Sequence, residues 1–272
     1  MNTDTNSGAA GEAADEKDVW WREYELGGGE TRWWTLGSLL LGVERKPREW
    51  RIGYEHFPDS GAILPVSDRS VDEMKSATRF IFSKPGDAIR LVPALADRPV
   101  VTRPVSPLYL PAGEDALMFV SSQAWVRVEA VSIDKVLLDI PSVRPSDTWF
   151  GPSMQTGELC YASRTHARLS LEDLPQQPFR AVTPLEIVNE AESDLMLERI
   201  SLPVPNLTLY ATGAGALWTQ KVSLRCGRDL RHASVRIGER PRDLVDDLVE
   251  MAGPRKVHEE RVLVRAFSSI FG

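Results

Sequence analysis

Proline is the feature that most limits what this chain can fold into. Between residues 58 and 111 it recurs at 58, 65, 85, 93, 99, 104, 107 and 111, which forbids a long helix across most of that stretch. From Val105 onward, short runs of branched and aromatic residues alternate with glycine and proline turn signals spaced roughly every ten residues. The runs are Leu108–Leu110, Ala116–Val120, Ala124–Ala130, Val131–Ile140, Gly157–Arg164, Phe179–Asn189, Leu195–Pro203, Leu207–Ala211, Gly215–Arg225 and Ala233–Gly238. Within one of them Val126, Val128 and Ala130 alternate with Trp125, Arg127 and Glu129, the pattern of a strand with one wet face. This rhythm predicts an all-β fold, an antiparallel β-sandwich, rather than alternating βαβ units.

The start of the chain predicts a tryptophan-rich β-meander. Trp20, Trp21, Trp33, Trp34 and Trp50 supply five of the eight tryptophans. Strands are expected over Trp20–Leu26, Arg32–Glu44 and Glu49–Phe57, punctuated by Gly27-Gly28-Gly29 and Lys46-Pro47-Arg48. On the third, Trp50, Ile52, Tyr54 and His56 share a face. Indoles offer flat apolar surfaces for sugar rings or bases, so Trp33, Trp50 and Tyr54, with the later Trp149, are candidate ligand-binding residues; such a face also serves simply to cap a small sandwich. Next along the chain, Ser70 reads as the N-cap of a helix over Ser70–Ala77, with Glu73 at the capping-box position.

Charge and composition exclude several functions. The chain carries a net charge of −7, which argues against a general nucleic-acid binder. Residues 1–18 contain five acids against Lys17, so this expected disordered tail accounts for −4 of that total. The two cysteines lie 66 positions apart with no Cys/His cluster, against a disulfide scaffold or a zinc module. No apolar leader and no run near 18 apolar residues is present, so the expectation is a cytoplasmic protein without a membrane span. The expected organisation is the tail at 1–18, a Trp-rich β-subdomain with a Pro-rich connection at 19–103, the main sandwich at 104–239, and an amphipathic helical C-terminus at 240–272.

No sequence motif supplies chemistry. The chain lacks Gly-x-Ser-x-Gly, HExxH, a Walker loop and GxGxxG. The four histidines, His56, His166, His232 and His258, show no ligand spacing, so no metal and no cofactor is expected. Cys160 and His166 are the one thiol–base candidate. Six residues apart on a straight strand they are about 20 Å apart, and a cysteine in an apolar strand is more simply a small buried hydrophobe. No catalytic residue is assigned.

Two further features point to partners. Arg225, Arg228 and Arg231 open an arginine string on an acidic chain, suited to an anion or an acidic partner surface, or to pairing with neighbouring acids. After Pro241, residues Leu244, Val245, Leu248, Val249 and Met251 fall on one helical stripe, with Asp243, Asp246, Asp247 and Glu250 opposite. A second segment places Leu263, Phe267 and Ile270, flanked by Phe271, at helical spacing. Such an element covers the chain's own sheet, a second subunit or a partner's groove.

The stretch Arg103-Pro104-Val105-Ser106-Pro107-Leu108-Tyr109-Leu110-Pro111 carries a resemblance. With Trp149-Phe150-Gly151, Gly157-Glu158-Leu159-Cys160-Tyr161, Ile187-Val188-Asn189 and Ile200-Ser201-Leu202-Pro203, it resembles a prokaryotic family of unassigned function, domain-of-unknown-function family four hundred and thirty-two. The similarity covers about residues 100–240. The segment before Trp149 departs from the family's Lys-Tyr lead, having Asp147-Thr148 instead. The resemblance implies a β-rich fold and no catalytic residue. The leading expectation is a non-catalytic interaction or regulatory protein that binds another protein, or itself, through β-faces and the apolar C-terminal segment. The alternative is a small-ligand or carbohydrate-binding module using an exposed Trp face.

Overall fold

Turn chemistry sets up the first sheet. The computed structural model describes residues 19–57, 70–151, 155, 157–174, 177–227, 233–257 and 263–264. After β1 (Glu23–Glu25), the strands β2 (Thr31–Leu36), β3 (Leu39–Lys46), β4 (Glu49–His56) and β5 (Thr78–Ile81) form an antiparallel meander. Two-residue turns join the first three, and Gly37 supplies the left-handed conformation (φ 62°) that the first turn needs. The expected helix after Ser70 shrinks to one 3-10 turn, Val71–Glu73; Ser70 caps it through the Asp72 amide, and the backbone extends again at Met74.

β6 (Ala88–Ala94) and β7 (Val100–Thr102) follow, then β8 (Leu108–Leu110), β9 (Asp115–Gln123), β10 (Trp125–Ala130) and β11 (Lys135–Pro141). A second antiparallel sheet runs β1-β6-β10-β11 and takes strands from both sides of residue 103. It packs on the meander: Leu41, Val43, Trp50 and Ile52 meet Leu26, Ile89, Leu91, Val126 and Val128, all essentially without solvent access.

The rest of the chain builds a second layered unit. Its strands are β12 (Ser146–Phe150), β13 (Glu158–Ala162), β14 (Arg180–Asn189), β15 (Leu195–Leu197), β16 (Ile200–Leu202), β17 (Leu209–Ala211), β18 (Leu217–Thr219), β19 (Val222–Cys226), β20 (Ala233–Ile237), β21 (Val249–Ala252) and β22 (Leu263–Val264). An eight-stranded sheet surrounds β14. One edge of β14 pairs along nearly its whole length with β9, antiparallel, while the other is shared end to end by β18 and β19, both parallel. Parallel pairing departs from a purely antiparallel sandwich, and the long buried run Arg180–Leu185 fits a strand covered on both faces. A smaller sheet, β12-β13-β7-β16, and the β8–β15 pair lie across the core from it; Val100, Ile200, Leu202, Leu110 and Leu195 meet Met118, Leu185, Ile187, Leu209 and Leu224. Only Ala124 separates β9 in this unit from β10 in the first.

The C-terminal helix expected from Pro241 is not formed. The amides of Leu244 and Val245 both bond to Pro241 O, a single turn, and Asp247 then takes a left-handed conformation (φ 55°). Beyond it Val249–Ala252 is strand β21, paired with β17. The free edge of β17 satisfies the backbone groups that a helix would have satisfied internally. Leu244, Val245 and Leu248 are nonetheless apolar-facing, packed against Phe119, Leu174, Val182 and Trp218. Leu263–Val264 is also strand, paired with β20. Among the described residues no helix is long and apolar enough to cross a membrane.

Leu185 is fully buried at the centre of the larger core, whereas Tyr109 is 68% exposed on β8. Leu185→Ala is expected to lower the unfolding free energy by about 2–5 kcal/mol, and Tyr109→Ala by less than about 0.5 kcal/mol. Urea denaturation checks this, and equal losses would contradict the assigned core.

Candidate functional site

The tryptophans do not make one binding face. Trp50 is wholly buried, its Nε1 donating to Pro85 O at 3.0 Å and the Arg45 guanidinium lying 5.2 Å from its ring centroid. Tyr54, on the same face, is half-buried and edge-on to His56. Trp33 is opposite Gly42, which is opposite Gly53, so it occupies the other face of the meander and covers the bare Gly42 backbone. Trp149 belongs to β12, 39% exposed, beside cross-strand Leu159.

The other candidates are placed as follows. Arg225 on β19 is paired with Glu190 at 2.7 Å. Arg228, Arg231, Phe267, Ile270 and Phe271 lie outside the described residues, and only the backbone of Leu263 is described. Cys160 is fully buried against Val101 and Phe150. Burial, with the Glu158 charge, pushes its thiol up to about 11, although Ser201 and Arg199 act the other way. Burial pushes Cys226 to about 12. His166 is exposed, and no hydrogen bond joins it to Cys160. Among the described residues no group of three or more His, Cys, Asp or Glu side chains is placed to hold a metal ion.

What the fold does assemble is a basic pocket at one end of the β12-β13-β7-β16 sheet. Ala162, Val101 and Ser201 lie in register across β13, β7 and β16 and so share a face. Two residues further along the same face come Arg103 beyond β7, Arg164 beyond β13 and, in the reverse direction, Arg199 ahead of β16. They frame a cavity of about 260 Å³ whose floor is Val101 and Ala162 and whose wall includes Thr148, Ser163, Thr165 and His166. None of the nine lining residues is acidic. Two acids adjoin lining residues in sequence, Asp147 beside Thr148 and Glu198 beside Arg199; Asp147 belongs to the opposite face and pairs with Arg98 at 3.1 Å.

A β-bulge positions half of this site. Ala162 is opposite Val101 and Ala167 opposite Pro104, so the β13 chain advances five residues while its neighbour advances three. Thr165 anchors the surplus. Its carbonyl accepts from Ser163 Oγ (2.9 Å) and Thr102 Oγ1 (3.2 Å), and its hydroxyl donates to Ser121 O at 2.8 Å. The buried Arg180 donates from Nη2 to that hydroxyl (2.9 Å) and to Ser121 O (2.6 Å), and from Nε to Ser121 Oγ (2.7 Å). With Thr165 held inward, its neighbours Arg164 and His166 are the exposed residues of the bulge.

Arg199 is fixed differently. Its Nη2 donates to Trp149 O (2.8 Å) and Thr148 Oγ1 (3.3 Å), and its guanidinium lies 5.5 Å from the Phe150 ring centroid. Its Nε is buried and has no hydrogen-bond partner among the described residues. The positive field extends to His56: burial lowers its pKa, the bond to Pro141 O raises it, and the charges of Arg144 and Arg164 lower it further.

Two outcomes are expected. With thiols near 11 and 12, roughly one Cys160 in a thousand is thiolate at about pH 8, so an aromatic disulfide reagent should modify neither cysteine in the native protein and both in denaturant. Fast native labelling would refute the burial. His56 favours its neutral form in the fold while the unfolded chain takes up a proton near 6.5, so its stabilising contribution is present above that pH and fades below it. The melting temperature should therefore fall from about pH 7.5 to about pH 5.5, with His56→Gln flattening part of that fall; parallel curves for the two proteins would refute it.

Neither the curated proteins nor the solved structures contain a significant match to this chain. A family model matches residues 20–271, well beyond the 100–240 expected from the sequence motifs and including the tryptophan-rich meander. The chain therefore belongs to DUF432, a family described as protein of unknown function.

Proposed function

We propose that this protein is a non-catalytic binding protein that takes a small anionic ligand in the basic pocket. The observation that carries the reading is the convergence of Arg103, Arg164 and Arg199 with His166 on one cavity that no carboxylate lines, in a chain of net charge −7. Guanidinium groups bring several donors in a fixed fork, and charge-assisted bonds are the stronger class. Held on strand ends and a pinned bulge, these donors lose little freedom when a ligand arrives.

This moves the function from a protein-docking adaptor towards the small-ligand alternative, with arginines in place of the Trp face. Of the covers open to the stripe Leu244, Val245 and Leu248 (the chain's own sheet, a second subunit or a partner's groove), the first is taken up, since they pack on the protein's own Phe119 and Trp218. The cytoplasm is the compartment that suits the reading, since both cysteines are free and buried.

Arg103 makes no side-chain hydrogen bond or ion pair among the described residues, so Arg103→Gln should leave the melting temperature unchanged. In calorimetric titration of the full chain with multivalent anions (phosphate, pyrophosphate, citrate), Arg103→Gln is expected to weaken binding at least about tenfold, as for loss of a charged hydrogen bond. Arg225→Gln, on β19, should bind as the parent does. Unchanged affinity in Arg103→Gln would sink the reading.

A further inference from the structure

We infer that residues 253–257 form a strap that fastens the two layered units together. Its backbone is held by the second unit, and its one inward side chain, Arg255, is locked into the first.

The backbone is tied on both sides of Arg255. Before it, β21 pairs with β17, and Met251 and Ala252 pack on the larger core. After it, the Lys256 amide donates to Pro205 O at 2.9 Å, and Asn206 Nδ2 donates to Lys256 O at 3.2 Å. Gly253, Pro254, Lys256 and Val257 are exposed, so of these five residues only Arg255 turns inward.

Its side chain crosses to the outer face of the β1-β6-β10-β11 sheet, where Trp125 and Arg127 on β10 stand beside Asp139 on β11. Nη1 and Nη2 donate to the two carboxylate oxygens of Asp139 at 2.6 and 2.9 Å. Nε donates to Leu95 O, where the chain leaves β6 for β7. A two-bond fork of this kind fixes direction as well as distance. The two side chains are 17% and 23% exposed, so water and salt weaken this pair less than an ion pair on the open surface.

The same guanidinium lies at the joint between the units. It is 5.1 Å from the ring centroid of Trp125, whose ring in turn meets Tyr161 of β13 at 6.3 Å between centroids. Tyr161 is itself held, its hydroxyl donating to Asp97 at 2.9 Å and Arg98 lying 5.1 Å from its ring. Beside them the chain crosses between units, with the Ala124 amide bonded to Phe179 O and the Ser142 amide to Ala124 O. Separating the units here requires the Arg255 fork to break, so the strap sets how readily the joint opens.

The test is native-state hydrogen exchange of the full chain, read by NMR at the Lys256, Ala124 and Ser142 amides. In the unaltered protein the three should exchange at one common rate, with Lys256 as protected as the joint. Arg255→Gln is the clean variant, because Asp139 keeps Arg127 at 3.2 Å, whereas Asp139→Asn would strand two guanidiniums. In Arg255→Gln all three amides should exchange at least about tenfold faster, as for loss of a charged hydrogen bond. The β3–β4 ladder should keep its parent rates. Arg225→Gln, which removes an exposed ion pair on β19, should change none of them. Fast exchange of Lys256 in the unaltered protein overturns the strap without recourse to any variant. So does an Arg255→Gln protein in which Ala124 and Ser142 keep their rates, or one in which every strand speeds up alike.

Discussion

β14 carries three strands at once, and the remaining layout of the second unit follows from that arrangement. Its ladder to β9 covers Arg180 to Val188, while β18 and β19 divide its other edge between them. The half of β14 from Arg180 to Leu185 is buried throughout and the strand is paired on both edges, so its register cannot slip without exposing a full row of side chains to the wrong face. The fixed register also fixes Arg180. Its guanidinium is buried, and bonds to Ser121 on β9 and Thr165 on the bulge couple three segments far apart in sequence. A buried charge is tolerated where oxygen atoms take the place of water, and here they also hold the bulge.

The basic pocket depends on that chain of restraint. Arg164 and His166 are exposed because Thr165 between them is tethered inward, and Arg199 is aimed by the Trp149 carbonyl and the Phe150 ring. Apolar residues, Val101, Phe150 and Cys160, fill the middle of the same sheet face. The guanidiniums therefore gather at one end of it, where a low-dielectric wall on one side strengthens their common field. The depressed pKa of His56 comes first from burial, with the charges of Arg144 and Arg164 adding to it.

Much of the strand layout was legible in the sequence, because turn chemistry is local. Pro47 and Pro111 mark connections, and the alternation in Trp125–Ala130 survives as a burial alternation, but the turn at Gly37 was missed: the stretch Arg32–Glu44 reads as one strand and is the hairpin β2–β3. Pairing direction was not legible: nothing within Leu217–Thr219 distinguishes a strand running parallel to β14 from one running against it. After Pro241, the apolar spacing named Leu244, Val245 and Leu248 as inward-facing, and they are; it did not say by which backbone path, and the open edge of β17 decided that. The aromatic stripe at Trp50 and Ile52 was an inner face. The arginines of the pocket stand at 103, 164 and 199, and only long-range register brings them together. The local hint was Arg164-Thr165-His166 at the end of a strand, of which the sequence reading weighed only His166, as a candidate base for Cys160.

The bulge at Arg164–His166 separates two jobs that a regular strand would have to share. In a regular ladder, changing a side chain that faces a ligand also alters the packing of its cross-strand partners. Here the two surplus residues have no ladder position to defend, and Thr165, braced by Ser163, bears most of the structural duty while Arg164 reaches out to Arg144 O. Positions 164 and 166 can thus be exchanged almost as in a surface loop while keeping the placement accuracy of a sheet. A substitution at 164 or 166 therefore changes the chemistry presented at that end of the sheet without rebuilding the scaffold beneath it.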